Sequence, residues 1–246
     1  MSEFPTVLGV YSHRRNATVG TGTTRTNHEK ITYWFARQIE KDKFDIQPLN
    51  IYHVPSGIRI FVENDTFFSS YTPEPAYYQI NTVPALKSLH EKILKGEKHL
   101  AEGNLLAAEK DFIKALMIDD LNVKANYGLG EVYSDLNQYE KLAKIVNMLM
   151  GMEDAFNHEH RARLNSFGVK LRKNGQLDKA LVFLEKALEI NPKDDHILFN
   201  LARVHFDKKD FEACKDTLNA AIQVNPVFAE ARKFLSYCQK QSAACV

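Results

Sequence analysis

The chain has 246 residues, 44% of them hydrophobic and 26% charged, values ordinary for a folded protein and wrong for a wholly disordered one. Thirty-two basic residues face thirty-one acidic ones, and the balance holds on either side of Ser88: nine against eight before it, twenty-three against twenty-three after. Neither part carries the basic excess of a nucleic-acid binder. The three cysteines, Cys214, Cys238 and Cys245, are odd in number and form no CxxC, which speaks for reduced thiols over a disulfide scaffold or a zinc site.

The opening "MSEFPTVLGVYSHRR" puts an acid before a very short apolar run, unlike a secretory signal, and no later stretch approaches the roughly 18 apolar residues of a membrane span. A cytoplasmic chain is expected. Within "TVLGVYS" lies a first strand. Next comes "VGTGTTRT", residues 19 to 26, with Arg14, Arg15 and Arg25 close by. A phosphate loop of the common nucleotide-binding type needs a lysine and a helix directly after it, so that backbone N–H groups and the ammonium converge on the phosphates. This stretch has neither, and the β-branched, aromatic run after it reads as a strand. It is expected to be a turn between strands, its glycines serving positive φ.

"ITYWFARQIE" alternates, with Ile31, Tyr33, Phe35 and Ile39 on one face; "KDK" turns the chain; "FDIQPLNIY" alternates again as an edge strand interrupted by Pro48. After a second turn at "VPSG", "IRIFVEN" supplies another strand carrying Ile58, Ile60 and Val62. Residues 1–75 are thus expected to form a small antiparallel sheet or partly open barrel of four or five strands, too thin to stand alone and docked on the first of the helical units that follow. Residues 76–88 read as a linker and the start of a helix opened by Pro84.

From here the chain repeats itself. "GVKLRKNGQLDKALVFLEKALEINP", from Gly168, and "ARVHFDKKDFEACKDTLNAAIQVNP", from Ala202, align without a gap at an offset of thirty-four residues, the span of two short antiparallel helices and their turns. In the register beginning at Arg161, Leu164, Phe167, Gly168, Leu171, Ala180, Leu184, Ala187 and Pro192 are answered by Leu198, Leu201, Ala202, His205, Cys214, Leu218, Ala221 and Pro226. Small residues stand where helices cross closely and proline ends the second helix. Upstream, Leu129, Gly130, Tyr133 and Tyr139 mark a further unit, and Gly96, Gly103, Ala108, Phe112 and Ala115 another. Asn157 to His160 are extra and predict an irregular turn. Phe228, Ala231, Leu235 and Cys238 recur at three- and four-residue steps, the stripe of a capping helix.

These positions resemble the tetratricopeptide repeat, although no unit has Trp at its fourth position and two have Asp120 and Asp154 in place of proline. The resemblance covers residues 89–228 and implies an all-α superhelix of four helix-turn-helix repeats (89–122, 123–156, 161–194, 195–228) with a cap at 229–240. It implies further that the first helix of every unit lines a concave surface that binds a protein partner. In this register the lining includes Tyr127, Asn165, Arg172, Phe199, Arg203 and Phe206, with Asn200 beside them. Aromatic and guanidinium groups next to an amide suit a docked peptide or helix. Chaperone-tail binding is not supported: only Asn200 fits the carboxylate-holding pattern, and Glu131 opposes it.

His158 and His160 stand two apart with no third ligand near, so no metal is expected there. His205 and Cys214 occupy packing positions, and no nucleophile-base signature appears in a recognisable context. The expected molecule is a non-enzymatic interaction scaffold without cofactor or membrane span, binding a protein or peptide and not nucleic acid. The rival is a ligand- or phosphate-sensing N-terminal domain with the repeats for assembly. Self-association through the repeat ends or Cys245 is a third partner class.

Overall fold

In a computed structural model of the chain, residues 5–19 and 26–244 are described. They fall into two compact units, one of residues 1–95 with 114–122, the other of 96–113 with 123–246.

The first unit is built on an antiparallel sheet of β1 (Thr6–Val19), β2 (Thr26–Glu40), β3 (Lys43–Pro48), β4 (Ile60–Glu63) and β5 (Thr72–Pro73), in the order β4-β3-β2-β1-β5. β1 and β2 pair along their whole length, from Thr6↔Gln38 to Val19↔Thr26. β3 reaches only as far as Trp34↔Pro48 and β5 meets only Tyr11 and Ser12, so the outer half of the β1–β2 ribbon has no third strand among the described residues. Residues 20–25 of "VGTGTTRT" lie outside the described residues, as does Arg25; the chain continues from them into β2, a strand and not a helix.

β3 is not an edge strand. It lies between β2 and β4, and Pro48, expected to interrupt it, ends it instead, where a missing N–H costs no central ladder bond. β4 begins at Ile60, leaving Ile58 outside it. A short helix α1 (Asn64–Ser70), unforeseen in the sequence, drops Phe67 onto the sheet. Phe67 stacks on Phe44 at 4.2 Å and, with Ala36 and Ile46, makes a buried cluster on that face.

On the opposite face the expected row of β2 is covered at Phe35 and Tyr33, which meet Tyr78 and Tyr77 at 6.1 and 4.0 Å between ring centroids. Gly9 stands under Tyr78. Its φ of +105° marks a bulge in the β1–β2 register, and a Cβ there would approach the Tyr78 ring at 3.3 Å, so both backbone and space call for glycine.

The helical run opens at Pro75, not at Pro84: α2 (Pro75–Tyr77) continues through a π turn at Tyr78–Thr82 into α3 (Val83–Ala101). Pro at a first-turn position loses no helical hydrogen bond, and Pro75 takes that role. The first unit also takes in residues 114–122, and there Asn50 Nδ2 donates to the Ile118 carbonyl at 2.7 Å and Ser56 Oγ to Asp119 Oδ1 at 2.8 Å.

The second unit is helical. α3 ends in it, succeeded by α4 (Leu105–Leu116), α5 (Val123–Asp135), α6 (Tyr139–Met150), α7 (Arg161–Lys173), α8 (Leu177–Ile190), α9 (Asp195–Asp207), α10 (Phe211–Val224) and α11 (Ala229–Ala244). Each turn inside a helix pair places one residue at positive φ: Gly103, Asn137, Gly175 and Lys209. The small positions of the repeat are buried as the register requires, at Gly168, Ala180, Ala187, Ala202, Cys214 and Ala221. A Cβ on Gly168 would meet Leu184 at 2.7 Å.

Before α7 stand two 3-10 turns: Glu153–Phe156, at the end of the second repeat, and His158–His160, within the four extra residues. Phe156 is buried against Phe183, and Asn191 Nδ2 donates to its carbonyl at 2.7 Å. α11 closes the far end, its Ala231 and Cys238 buried with Ala202, Cys214 and Leu218. Cys245 lies outside the described residues.

Candidate functional site

The first helices of the last two units, α7 and α9, bring most of the expected lining together. Asn200 Nδ2 donates to Asn165 Oδ1 at 3.2 Å. Arg172 Nη1 reaches Asp207 Oδ2 at 2.5 Å, while its Nε is buried without a hydrogen-bond partner. The Arg203 guanidinium lies 5.8 Å from the centroid of the Phe199 ring. Burial, and after it the neighbouring positive charge of Arg172, pulls the Arg203 pKa below its ordinary value, with Asp207 acting the other way. Arg203 is therefore a half-buried cation whose solvation is already reduced, the state in which a carboxylate or an aromatic face binds it best.

Phe199 and Phe206 join an aromatic cluster that the repeat register alone does not reach. Phe199 contacts Phe228 at 5.1 Å and Phe234 at 6.0 Å; Phe206 contacts Phe211, Phe234 and Tyr237 at 5.5, 5.2 and 5.5 Å. Phe234 and Tyr237 belong to α11. Their three-residue spacing beside the Phe228, Ala231, Leu235 and Cys238 stripe is the sequence signal that marks them, widening the capping helix from one apolar face to two.

Tyr127 is not part of any exposed lining. Its ring is fully buried between Phe167 and Phe183, at 5.5 and 6.2 Å, and its hydroxyl donates to the Ala155 carbonyl at 2.8 Å. Burial pushes its pKa up. The large apolar body and satisfied hydroxyl give it a packing role, and the 3-10 turn at Glu153–Phe156 provides the acceptor. Other lining positions of the earlier units are closed as well: Ser134 is buried, Glu97 pairs with Arg163, and Lys170 bridges Glu131 and Asp135 at 3.3 and 2.8 Å. On α9, Phe199, Arg203 and Phe206 stay half-exposed.

Beside the "VGTGTTRT" stretch, Arg14 pairs with Glu29 at 3.6 Å. His160 is half-buried with its pKa lowered by desolvation. Among the described residues, no group of three or more His, Cys, Asp or Glu is placed to hold a metal ion. No described helix is long and apolar enough to cross a membrane.

The family model described as tetratricopeptide repeat matches residues 171–236. Residues 171–236 thus match the tetratricopeptide repeat, and the helical part as a whole has that repeat's fold. No curated protein matches the chain by sequence. Among solved structures it is similar to the MamA protein, with a TM-score of 0.50, 16% identity, 64% of this chain and 84% of that one covered. It is likewise similar to PilF of Pseudomonas aeruginosa, with a TM-score of 0.50, 19% identity, and 64% and 70% covered. At these identities the likeness concerns the fold. The tetratricopeptide repeat is, in general, a protein-interaction scaffold, and the five-stranded sheet before it belongs to no assigned family.

Proposed function

We propose that the chain is a non-catalytic adaptor that holds a peptide or helix of a protein partner against α7, α9 and α11. The observation that carries this reading is the half-exposed group of Phe199, Arg203 and Phe206, extended by Phe234 and Tyr237 and flanked by the Asn165–Asn200 amide pair. Aromatic area gives binding energy at low entropic cost, the guanidinium gives direction, and the amides match a peptide backbone.

A display library of random peptides panned on the full chain tests the proposal. Enriched peptides are expected to lose about tenfold or more in affinity on the Phe199→Ala, Arg203→Ala double variant, the loss typical of central anchor residues. A folded double variant with unchanged affinity would remove these helices as the binding face.

A further inference from the structure

β4 is the outermost strand of its sheet: one side pairs with β3 and, among the described residues, no strand lies on the other. The Asn64 N–H donates to the Asp42 carbonyl at 3.0 Å, which fixes the phase of the ladder. Residues of an antiparallel strand alternate in direction, so Val62 and Ile60 also turn their N–H and C=O groups toward β3, while Phe61 turns both of its groups and Glu63 its N–H outward, the Glu63 C=O being taken by the first turn of α1, which Glu63 caps. Around that open edge, Ile58 is 80%, Phe61 58% and Phe68 62% exposed, a concentration of apolar surface beside unpaired backbone. Natural sheets usually blunt such an edge.

The order of residues along this edge is self-complementary. We propose that β4 pairs antiparallel with β4 of a second copy of the chain, with Phe61 on the two-fold axis. In that register Phe61 faces its own counterpart, and Arg59 of each copy faces Glu63 of the other. Phe61 points both backbone groups outward, so the Phe61 pair exchanges both N–H···O bonds, the outward Glu63 N–H meets the other copy's Arg59 segment, and the opposite charges meet across the strands. A shift by one residue would set Phe61 groups against groups aimed at β3. Ile60 faces Val62 on the other side of the ribbon, joining the two Phe44 clusters into one apolar surface next to Phe68, which already packs edge-on against Phe44 at 5.6 Å. On that face Asp45 has Arg37 as its nearer cation at 2.9 Å and Arg59 at 3.9 Å. The result is an isologous dimer with one continuous sheet. With so short an edge, its assembly is concentration-dependent.

Sedimentation of the full chain over a range of micromolar concentrations tests this. The mass is expected to rise from 28.1 kDa toward twice that value as concentration increases. Phe61→Pro removes an outward N–H without breaking the β3 ladder, and Glu63→Lys sets like charges face to face; each is expected to weaken the dimer about tenfold or more with an unchanged circular dichroism spectrum. Mixing Glu63→Lys with Arg59→Glu is expected to restore it, because the unlike copies regain both charge pairs. Hydrogen exchange is expected to slow at the Phe61 and Glu63 amides on dimerisation. A chain that stays monomeric, dimers indifferent to Phe61→Pro and Glu63→Lys, or slow exchange elsewhere but not at Phe61 each overturn the proposal, including the case in which another protein's strand occupies the edge.

Discussion

Lys209 has a φ of +64° in the turn between α9 and α10, at the place where Gly103 and Gly175 take +76° and +72° in their own turns. A side chain with a Cβ is strained there, whereas glycine is not. Lys209→Gly is expected to stabilise the second unit by about 0.5–1 kcal/mol, read as a higher midpoint in urea, after the larger entropy of an unfolded glycine is subtracted. The reverse holds at Gly128. Helix propensity favours alanine by up to about 1 kcal/mol, but a Cβ at this position runs into the fully buried ring of Phe112. Gly128→Ala is expected to lower stability by about 1–3 kcal/mol, the cost of overpacking. The register shows the first, since Lys209 stands where Gly175 does one repeat earlier, but not the second, whose equivalents are Leu94, Ser166 and Asn200. Tyr127 is not legible either: its place in the register points to the lining, and only the packing around the Glu153–Phe156 turn, with the Ala155 carbonyl at 2.8 Å, turns it inward.

Between elements, Asp194 carries two tasks. Its carboxylate caps α9, accepting from the His196 and Ile197 N–H groups at 3.0 Å each, and pairs with Arg161 at the start of α7. Burial pushes its pKa up, but the Arg161 guanidinium and the two N–H groups outweigh that and hold it below the usual carboxylate value. A depressed folded-state pKa gives stability that is complete above the unfolded value near 4 and is lost as pH falls through the folded one. Asp194→Ala is expected to cost about 1–2 kcal/mol at neutral pH, as for other lost caps. The gap in melting temperature between wild type and Asp194→Asn should narrow as pH drops below about 4. The helices could be read from sequence because their thirty-four-residue period repeats the same packing problem. α1 and β5 could not: seven residues of "NDTFFSS" contain less than two turns of pattern, and Thr72–Pro73 contains none. β3 misled because a proline argues for an edge unless it sits at the strand's last residue.

At the scale of the molecule, each unit depends on different closure. The repeat ends at α11, whose Ala231 and Cys238 cover Ala202, Cys214 and Leu218. Deleting residues 229–246 is expected to lower the thermal midpoint and to produce scattering from aggregates, since an uncapped repeat exposes its core. The sheet unit has no such internal copy against which its pattern can be checked, so its alternation was legible while its strand order was not. The aromatic site was half legible, α9 by register and α11 only through its place beside α9.

The outer β1–β2 ribbon has a further consequence. Beyond His13↔Thr32 the two strands pair only with each other among the described residues, and a lone pair of strands is marginal in water. Its amides should therefore keep time like an opening zipper. Exchange is expected to be slowest near Phe35 and Ala36, where β3 backs the ribbon, and to quicken stepwise toward Val19 and Thr26.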